Sequence, residues 1–474
     1  MADQRERQVH GSETLVSEQA MSQLRNTFRG AIIQSGDQEY DRSRQVYNAM
    51  IDKRPVAIAR CRDVADVMAA VSFGRNSGLS VAVRGGGHNG AGFGTVDGGL
   101  VIDLSDLNGV LVDPEARRAT VEGGALIGDL DHAAHAFGLA TPAGIISTTG
   151  IGGLTLGGGH GYLTRKYGLT IDNLVSAQVV LADGRVVTAS ADSHPDLFWA
   201  LRGGGGNFGV VTSFTLQLHP VSTIIGGPTL WSLDDADKVL RWYREWLPRA
   251  SEDIYGFFAL LTVPPAPPFP EHLHLQKVCG IVWCYTGPPD RADQAFAPAL
   301  DAAKPLLHGV HQMPYPKLQG AFDAFYPPGH QWYWRGDFVA SIPDAAIERH
   351  LEFAKKAPLG QSTTHLYPID GAAKRVGPND TAFSYRDSTW SMVIAGVDPD
   401  PANAEKIRSW TVDYWEALHP YSAGGAYVNF MMDEGQERVQ ATYRDNYTRL
   451  ARTKEEYDPD NLFHVNQNIR PGHA

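Results

Sequence analysis

The chain runs to 474 residues, 43% of them hydrophobic, with 41 basic against 53 acidic side chains and a formal charge of -12. That length is enough for two or three domains with sizeable cores, and the acidic balance excludes an extended nucleic-acid surface. Three cysteines exclude a disulfide framework, and no window is apolar enough to read as a membrane span.

Residues 1–29 are polar and charged, without the apolar core of a signal peptide, so a cytoplasmic location is expected. Asp63 is placed to cap a helix whose apolar residues Val64, Val67, Met68 and Val71 follow three-and-four spacing and which closes at Gly78. A strand over 80–83 follows and runs into Arg84-Gly85-Gly86-Gly87-His88-Asn89-Gly90. The glycines at 85, 87 and 90 match the dinucleotide pattern G-x-G-x-x-G, but that fold needs a helix to open there. Instead Gly92, Gly94, Gly98 and Gly99 follow, each costing a helix about 1 kcal/mol relative to alanine, and Leu100-Val101-Ile102-Asp103-Leu104 reads as another strand. Asp103 therefore falls near the ribose-binding spacing by coincidence. Two readings remain: a bare loop lying against a large flat ligand that His88 reaches, or a glycine-rich hairpin carrying an exposed histidine.

A strand over 119–121, a helix over 126–137 and strands over 176–181, 186–189 and 210–218 continue the alternation. His132 and His135 share a face of that helix, but no carboxylate or third histidine is spaced to complete a site, and no metal is expected. Two more glycine clusters stand beside β-type sequence, one from Gly150 through Gly161 and one from Gly203 through Gly209. Random loops would scatter glycine, whereas three clusters in the first half of the chain point to loops converging on one elongated ligand, such as a cofactor with a pyrophosphate.

Near His219-Pro220 the composition changes. The region from there to about Ser422 carries a tryptophan-rich helix over 239–246, the proline run 264–270 and strands of alternating polarity, and reads as a second domain. Cys279 and Cys284 lie five apart on one strand, pointing to opposite faces as buried small residues. In Gln331-Trp332-Tyr333-Trp334-Arg335 both tryptophans share a face, as a platform for a ring or, the favoured reading, as core. Read as a strand, 383–388 puts Tyr385 and Asp387 on one face and Arg386 on the other, as a second phenol for chemistry or a surface salt-bridging strand. A strand over 426–430 likewise puts Tyr427 and Asn429 together. Val439, Tyr443, Tyr447 and Leu450 then form a helical stripe that returns to the first domain. No Gly-x-Ser-x-Gly elbow or Walker-type lysine loop occurs, which leaves a hydrolase unsupported.

Arg84-Gly85-Gly86-Gly87-His88-Asn89, Gly157-Gly158-Gly159-His160-Gly161-Tyr162-Leu163, Tyr167-Gly168-Leu169-Thr170-Ile171-Asp172-Asn173 and the run 196–211 resemble the flavin domain of the berberine bridge enzyme-like oxidoreductases. These are FAD proteins of the vanillyl-alcohol-oxidase type. The end of the chain, Tyr457-Asp458-Pro459-Asp460-Asn461-Leu462-Phe463 with Asn466-Gln467-Asn468-Ile469, is similar to that family's closing segment. The resemblance implies an α+β fold: a two-part FAD-binding domain over 1–220 and 426–474, and a substrate domain over 221–425 with an antiparallel sheet flanked by helices. It implies FAD carried covalently on His88 through the flavin 8α-methyl carbon. The implied cofactor site comprises Arg84, Gly85, Gly86, Gly87, Asn89, Gly92, Ile151, Gly152, Gly153, Gly157, Gly158, Gly161, Asp172, Gly209, Val210, Asn466 and Gln467.

Many relatives add a second link from a cysteine. Here Ile146 holds that position and Cys61, Cys279 and Cys284 lie elsewhere, so a single covalent bond is expected. Ile151 is the residue implied to face the ring and gate oxygen. A flavin needs a partner that removes a proton while a substrate C–H bond delivers hydride to N5. Tyr427 is the expected base, or the donor that activates one, with Asn429 beside it and Tyr385 as a second candidate; a core tyrosine is the competing reading. A free phenol titrates at roughly pH 10 and needs a cationic or hydrogen-bonded neighbour to act near neutrality. The substrate is expected to be a small alcohol, sugar, amine or phenolic or alkaloid ring, with O2 as acceptor and H2O2 released. A flavin dehydrogenase with another acceptor and a noncatalytic flavin-binding protein are the alternatives. No nucleic-acid or membrane partner is expected.

Overall fold

The computed structural model describes residues 17–358 and 360–472. The first sheet has four strands in the order Ala31–Gln34, Ala57–Arg60, Leu100–Asp103 and Val81–Arg84, with the last three parallel. The helix Val64–Asn76 packs on it, opened by Asp63, whose carboxylate accepts from the Asp66 amide at 3.0 Å. Its buried residues include Val67, Ala70 and Val71. After Val81–Arg84 the chain runs to Leu100 through bends and turns, with no helix, as the glycine content requires.

A second sheet is wholly antiparallel, in the order Val110–Asp113, Arg118–Glu122, Val210–Gln217, Leu174–Val180 and Val186–Ser190. Its core takes in the helices Ile127–His135 and Pro195–Leu201. The second glycine cluster is not all loop: Ile151–Gly157 forms two turns of helix, inserted between this core and the segment around Asn429. Ala426, Val428, Val439, Tyr443, Leu450 and Ile469 join the same core, so the chain's end closes over its first half. The stripe read as a helix over 439–450 is two helices, Gln436–Tyr443 and Asn446–Tyr457, because Arg444 takes a left-handed backbone with φ of 48°.

The third sheet has eight antiparallel strands. Along it run Leu307–His308, Thr223–Ser232, Lys277–Tyr285, Ile254–Thr262, Thr363–Pro368, Trp390–Asp398 and Gln331–Val339, with His311–Pro314 also pairing on Thr223–Ser232. Helices Ala236–Trp246, Ala292–Ala302, Asp344–Lys356 and Ala404–Leu418 share one core with it. The alternating polarity expected for these strands fails beside the edge strand Gln331–Val339, where all nine residues of Trp390–Asp398 are buried. Such a strand is covered on both faces, by helices on one side and by residues of the chain's first half, such as Tyr47, Tyr162 and Leu163, on the other. Cys279 faces the helices and Cys284 the opposite side, as their spacing predicts. Arg165 fastens the layers: its guanidinium donates to Asp370 at 2.8 Å and to the Ile254 and Leu247 carbonyls at 2.6 and 2.8 Å.

Candidate active site

A long cavity lies where the three sheets meet. Part of its wall comes from Val81, Val83, Leu104 and Phe463, and part from Trp332, Trp334, Thr363, His365, Tyr367, Val393 and Ala395 of the eight-stranded sheet. Between them stand glycines of all three clusters, including Gly85, Gly86, Gly87, Gly152, Gly153, Gly206 and Gly209, together with Asn89, Asn466 and Gln467.

These glycines answer to two different constraints. Gly86 and Gly150 pass back to back: a Cβ on Gly86 would lie 2.4 Å from the Gly150 nitrogen, and one on Gly150 2.3 Å from the Gly86 nitrogen. Gly153 and Gly206 have no such neighbour. A Cβ on either would meet no protein atom within 4 Å, and neither has the backbone that demands glycine. Both line the cavity, so the space they leave clear belongs to what the cavity holds. A flat, elongated group with a pyrophosphate fits a wall of bare backbone N–H groups.

His88 sits on that wall. Its ring stacks on Tyr47 with centroids 3.9 Å apart, Nε2 lies 3.1 Å from the Thr148 hydroxyl and Nδ1 3.4 Å from that of Thr149. Burial pushes the imidazole down to about 4, so at neutral pH it is uncharged and keeps a lone pair. Ile145 and Ile146 share the wall. The parallel register sets Arg84 beside Asp103, and their side chains bond at 2.7 Å. Burial alone would raise the Asp103 carboxyl, but the guanidinium holds it below the usual range.

Tyr427 and Asn429 meet as expected, by a different local structure. Val428–Phe430 is a single tight helical turn, and it brings the Asn429 amide within 2.8 Å of the Tyr427 oxygen. The Gly159 N–H donates to that oxygen at 2.9 Å. With both acceptor positions filled by protein donors, the phenol's own proton is turned away from them. Burial pushes Tyr427 up to about 12, while these two hydrogen bonds pull the other way.

Residues 55–190 match the model of an FAD binding domain, and residues 426–470 match the model named berberine and berberine like. The uncharacterized FAD-linked oxidoreductase YgaK of Bacillus subtilis is 31% identical across 93% of this chain and 97% of its own. The chain belongs to the berberine bridge enzyme-like FAD-linked oxidoreductases. It is also similar to the (R)-6-hydroxynicotine oxidase of Paenarthrobacter nicotinovorans, at 30% identity over 94% of this chain and 97% of that one. The solved structure of the xylooligosaccharide oxidase of Myceliophthora thermophila in complex with xylobiose overlays with a TM-score of 0.83 at 25% identity, covering 96% and 100% of the two chains. The fold is accordingly the α+β fold of that family, and FAD is the cofactor.

Several residues that the resemblance assigns to the site of this berberine bridge enzyme-like oxidoreductase lie off the cavity wall. Tyr385 is in a loop, not a strand; its hydroxyl donates to the Ala441 carbonyl at 2.9 Å, and its ring is held between Phe338 and the Arg444 guanidinium. Asp172 is taken up by Arg386, which donates to its two oxygens at 2.7 and 2.8 Å. Ile151 is fully buried in the core of the five-stranded sheet, between Gly150 and Gly152 of the wall. Val210 is likewise core. Gly92, Gly157, Gly158 and Gly161 are glycines for the protein's sake, since a Cβ on them would come within 2.6 Å of Ile51, 2.4 Å of the Asn429 amide, 2.9 Å of Phe383 and 2.2 Å of the Ala143 carbonyl respectively. Trp332 and Trp334 line the cavity instead of serving only as core.

Sequence reasoning gave no role to Tyr47, Thr148, Thr149, His160, His365 and Tyr367. His160 is buried with its ring 4.6 Å from that of Tyr427 and 5.1 Å from that of Tyr367, and burial pushes it down to about 3. The signal for the last two was present: a strand period through Thr363-Thr364-His365-Leu366-Tyr367 sets Thr363, His365 and Tyr367 on one face.

Proposed function

We propose that the protein oxidises a small organic molecule at a C–H bond, with His88 as the single covalent anchor of FAD and Tyr427 as the base for the substrate's proton. Bound FAD would supply the hydride acceptor, with O2 as the final electron acceptor and H2O2 as its product. The observation that carries the reading is the Tyr427 oxygen with N–H donors on both acceptor positions, at the wall of the cavity whose glycines leave room for a flat ring. Donors aimed at that oxygen favour its negative form, which is what a base needs on the way to taking a proton. His88 is neutral at the pH where it must act as a nucleophile, and the Thr148 and Thr149 hydroxyls fix its ring. Ile146 leaves the cysteine-linked second bond without a sulfur. On this reading residues 1–220 and 426–474 hold the cofactor and residues 221–425 cover the substrate.

Denaturing the purified protein and digesting it tests the anchor: FAD mass is expected on the peptide that contains His88, and flavin released wholly into the supernatant would reject the bond. Anaerobic bleaching of the flavin by alcohols, sugars, amines and phenols tests the oxidation. Reoxidation by air within seconds supports O2 as acceptor, and minutes would overturn that part.

A further inference from the structure

The part of the cavity under the eight-stranded sheet has its own chemistry. Thr363, His365 and Tyr367 alternate along Thr363–Pro368 and all reach the wall. His365 stands in register with Ala259 on one neighbouring strand and Val393 on the other, with Gly336 opposite Val393 beyond. Its flanks in that row are therefore small, and the imidazole borders a depression. The Tyr367 oxygen lies 2.5 Å from His365 Nδ1 and has no other acceptor for its proton among the described residues. The phenol donates to Nδ1, which leaves the ring's proton on Nε2, a nitrogen with no protein partner among those residues. Burial pushes His365 down to about 3 and the Tyr367 phenol well up, so the pair stays neutral.

The rest of the wall is aromatic and without free charge. Trp332, Trp334, Tyr326 and Phe430 surround this part, and among the described wall residues Arg84 alone carries a charge, already paired with Asp103. An ammonium group entering here would find no carboxylate, and a buried unpaired ion costs several kcal/mol. For the many hydroxyls of a sugar this part offers few free hydrogen-bonding groups, among them His365 Nε2 and the Tyr326 hydroxyl, since the Thr363 and Tyr367 hydroxyls already donate within the protein. Flat aromatic rings suit such walls through offset and edge-on contacts.

We propose that this half of the cavity takes an uncharged, flat aromatic alcohol, and that His365, held by Tyr367, is the specificity-determining residue that donates from Nε2 to its oxygen. The proposal rests on the oxidoreductase reading above but names what that reading leaves open.

The test uses the flavin-loaded protein at neutral pH with naphthylmethanol, the cation naphthylmethylammonium and cellobiose as probes. Binding is read by perturbation of the flavin spectrum and by quenching of tryptophan fluorescence, to which Trp332 and Trp334 contribute. Naphthylmethanol is expected to bind at least tenfold more tightly than the ammonium probe, and cellobiose to leave both signals unchanged. Equal or tighter binding of either competitor, or no binding of naphthylmethanol, overturns the substrate class. His365→Leu is expected to weaken naphthylmethanol at least tenfold with flavin content unchanged, and His365→Gln, which retains an N–H donor, to recover part of the loss. Unchanged affinity in His365→Leu overturns the role of His365. Binding without any flavin reduction would count against the oxidation reading and leave this comparison intact.

Discussion

Replacing Gly153 with alanine separates the needs of the protein from those of its cofactor. The Cβ would meet no protein atom within 4 Å, and the residue lies within the helix Ile151–Gly157, where alanine gains up to about 1 kcal/mol over glycine. The flavin-free protein should therefore be as stable as before, or slightly more so. A ring resting on this glycine at van der Waals distance, about 3.5–4 Å from the Cα, would find the new carbon at roughly 2–2.5 Å and have to retreat by more than about 1 Å. Flavin content is expected to fall at least tenfold. Gly86→Ala is the control of opposite kind: its Cβ would sit 2.4 Å from the Gly150 nitrogen, so the fold itself should lose about 1–3 kcal/mol before any cofactor binds. Flavin absorbance per polypeptide gives the first quantity, and denaturant unfolding of both variants in a His88→Ala background stripped of flavin gives the second. Gly153→Ala with full flavin and a normal spectrum would refute the reasoning, since the clear space would then belong to nothing.

Tyr427→Phe should slow anaerobic flavin reduction at least tenfold while the flavin stays attached, and an unchanged rate rejects the base. If Tyr427 acts as a phenolate, burial toward about 12 makes the active form scarce at neutral pH, so the rate of flavin reduction at saturating substrate should rise close to tenfold per pH unit between pH values of about 7 and 9; a flat profile argues otherwise. In the flavin-free protein, His88, His160, His350 and His365 are pushed to about 4, 3, 4 and 3 by burial, against an ordinary value of 6.5. They are neutral when folded and charged when unfolded across that window, so unfolding at pH 5 takes up close to four protons at these sites. Stability then falls on acidification by about 1.4 kcal/mol per proton per pH unit, and pH-independent unfolding between 6.5 and 5 contradicts the burial. Lys454→Met would strand the fully buried Asp458 carboxylate that it bonds at 2.6 Å, costing about 3–5 kcal/mol in denaturant unfolding; a loss under about 1 kcal/mol would refute the pairing.

Much of this molecule is legible in its sequence where the cause is local. Asp63 announces its helix because a carboxylate bonds an amide three residues on, and the glycines after His88 exclude the dinucleotide helix because helix propensity is itself local. Tyr427 and Asn429 were paired correctly through the wrong element, since a tight turn and a strand both bring residues two apart to one side. The glycine clusters show the limit. A glycine beside a ligand and a glycine beside another strand look alike in sequence, so Gly153 and Gly157 are indistinguishable until the Asn429 amide is found pressed against the second. Tyr385 carried a polar strand pattern, yet its surroundings are set by residues 338 and 444, which no spacing near 385 encodes. Tyr47 reaches His88 across forty residues for the same reason.

Lys454 also sets an order of events in time. Its ammonium donates to the Asn207 carbonyl at 2.7 Å and to the Phe463 carbonyl at 3.0 Å, while the Asn207 side chain bonds the backbone of Gln467 and Ile469. Phe463, Val465, Asn466 and Gln467 are thus pinned to the third glycine cluster, and they are the last parts of the cavity wall to leave the ribosome. Without them the wall lacks one side, so flavin capture is expected only after this segment has been made. A chain halted before Phe463 is expected to emerge colourless.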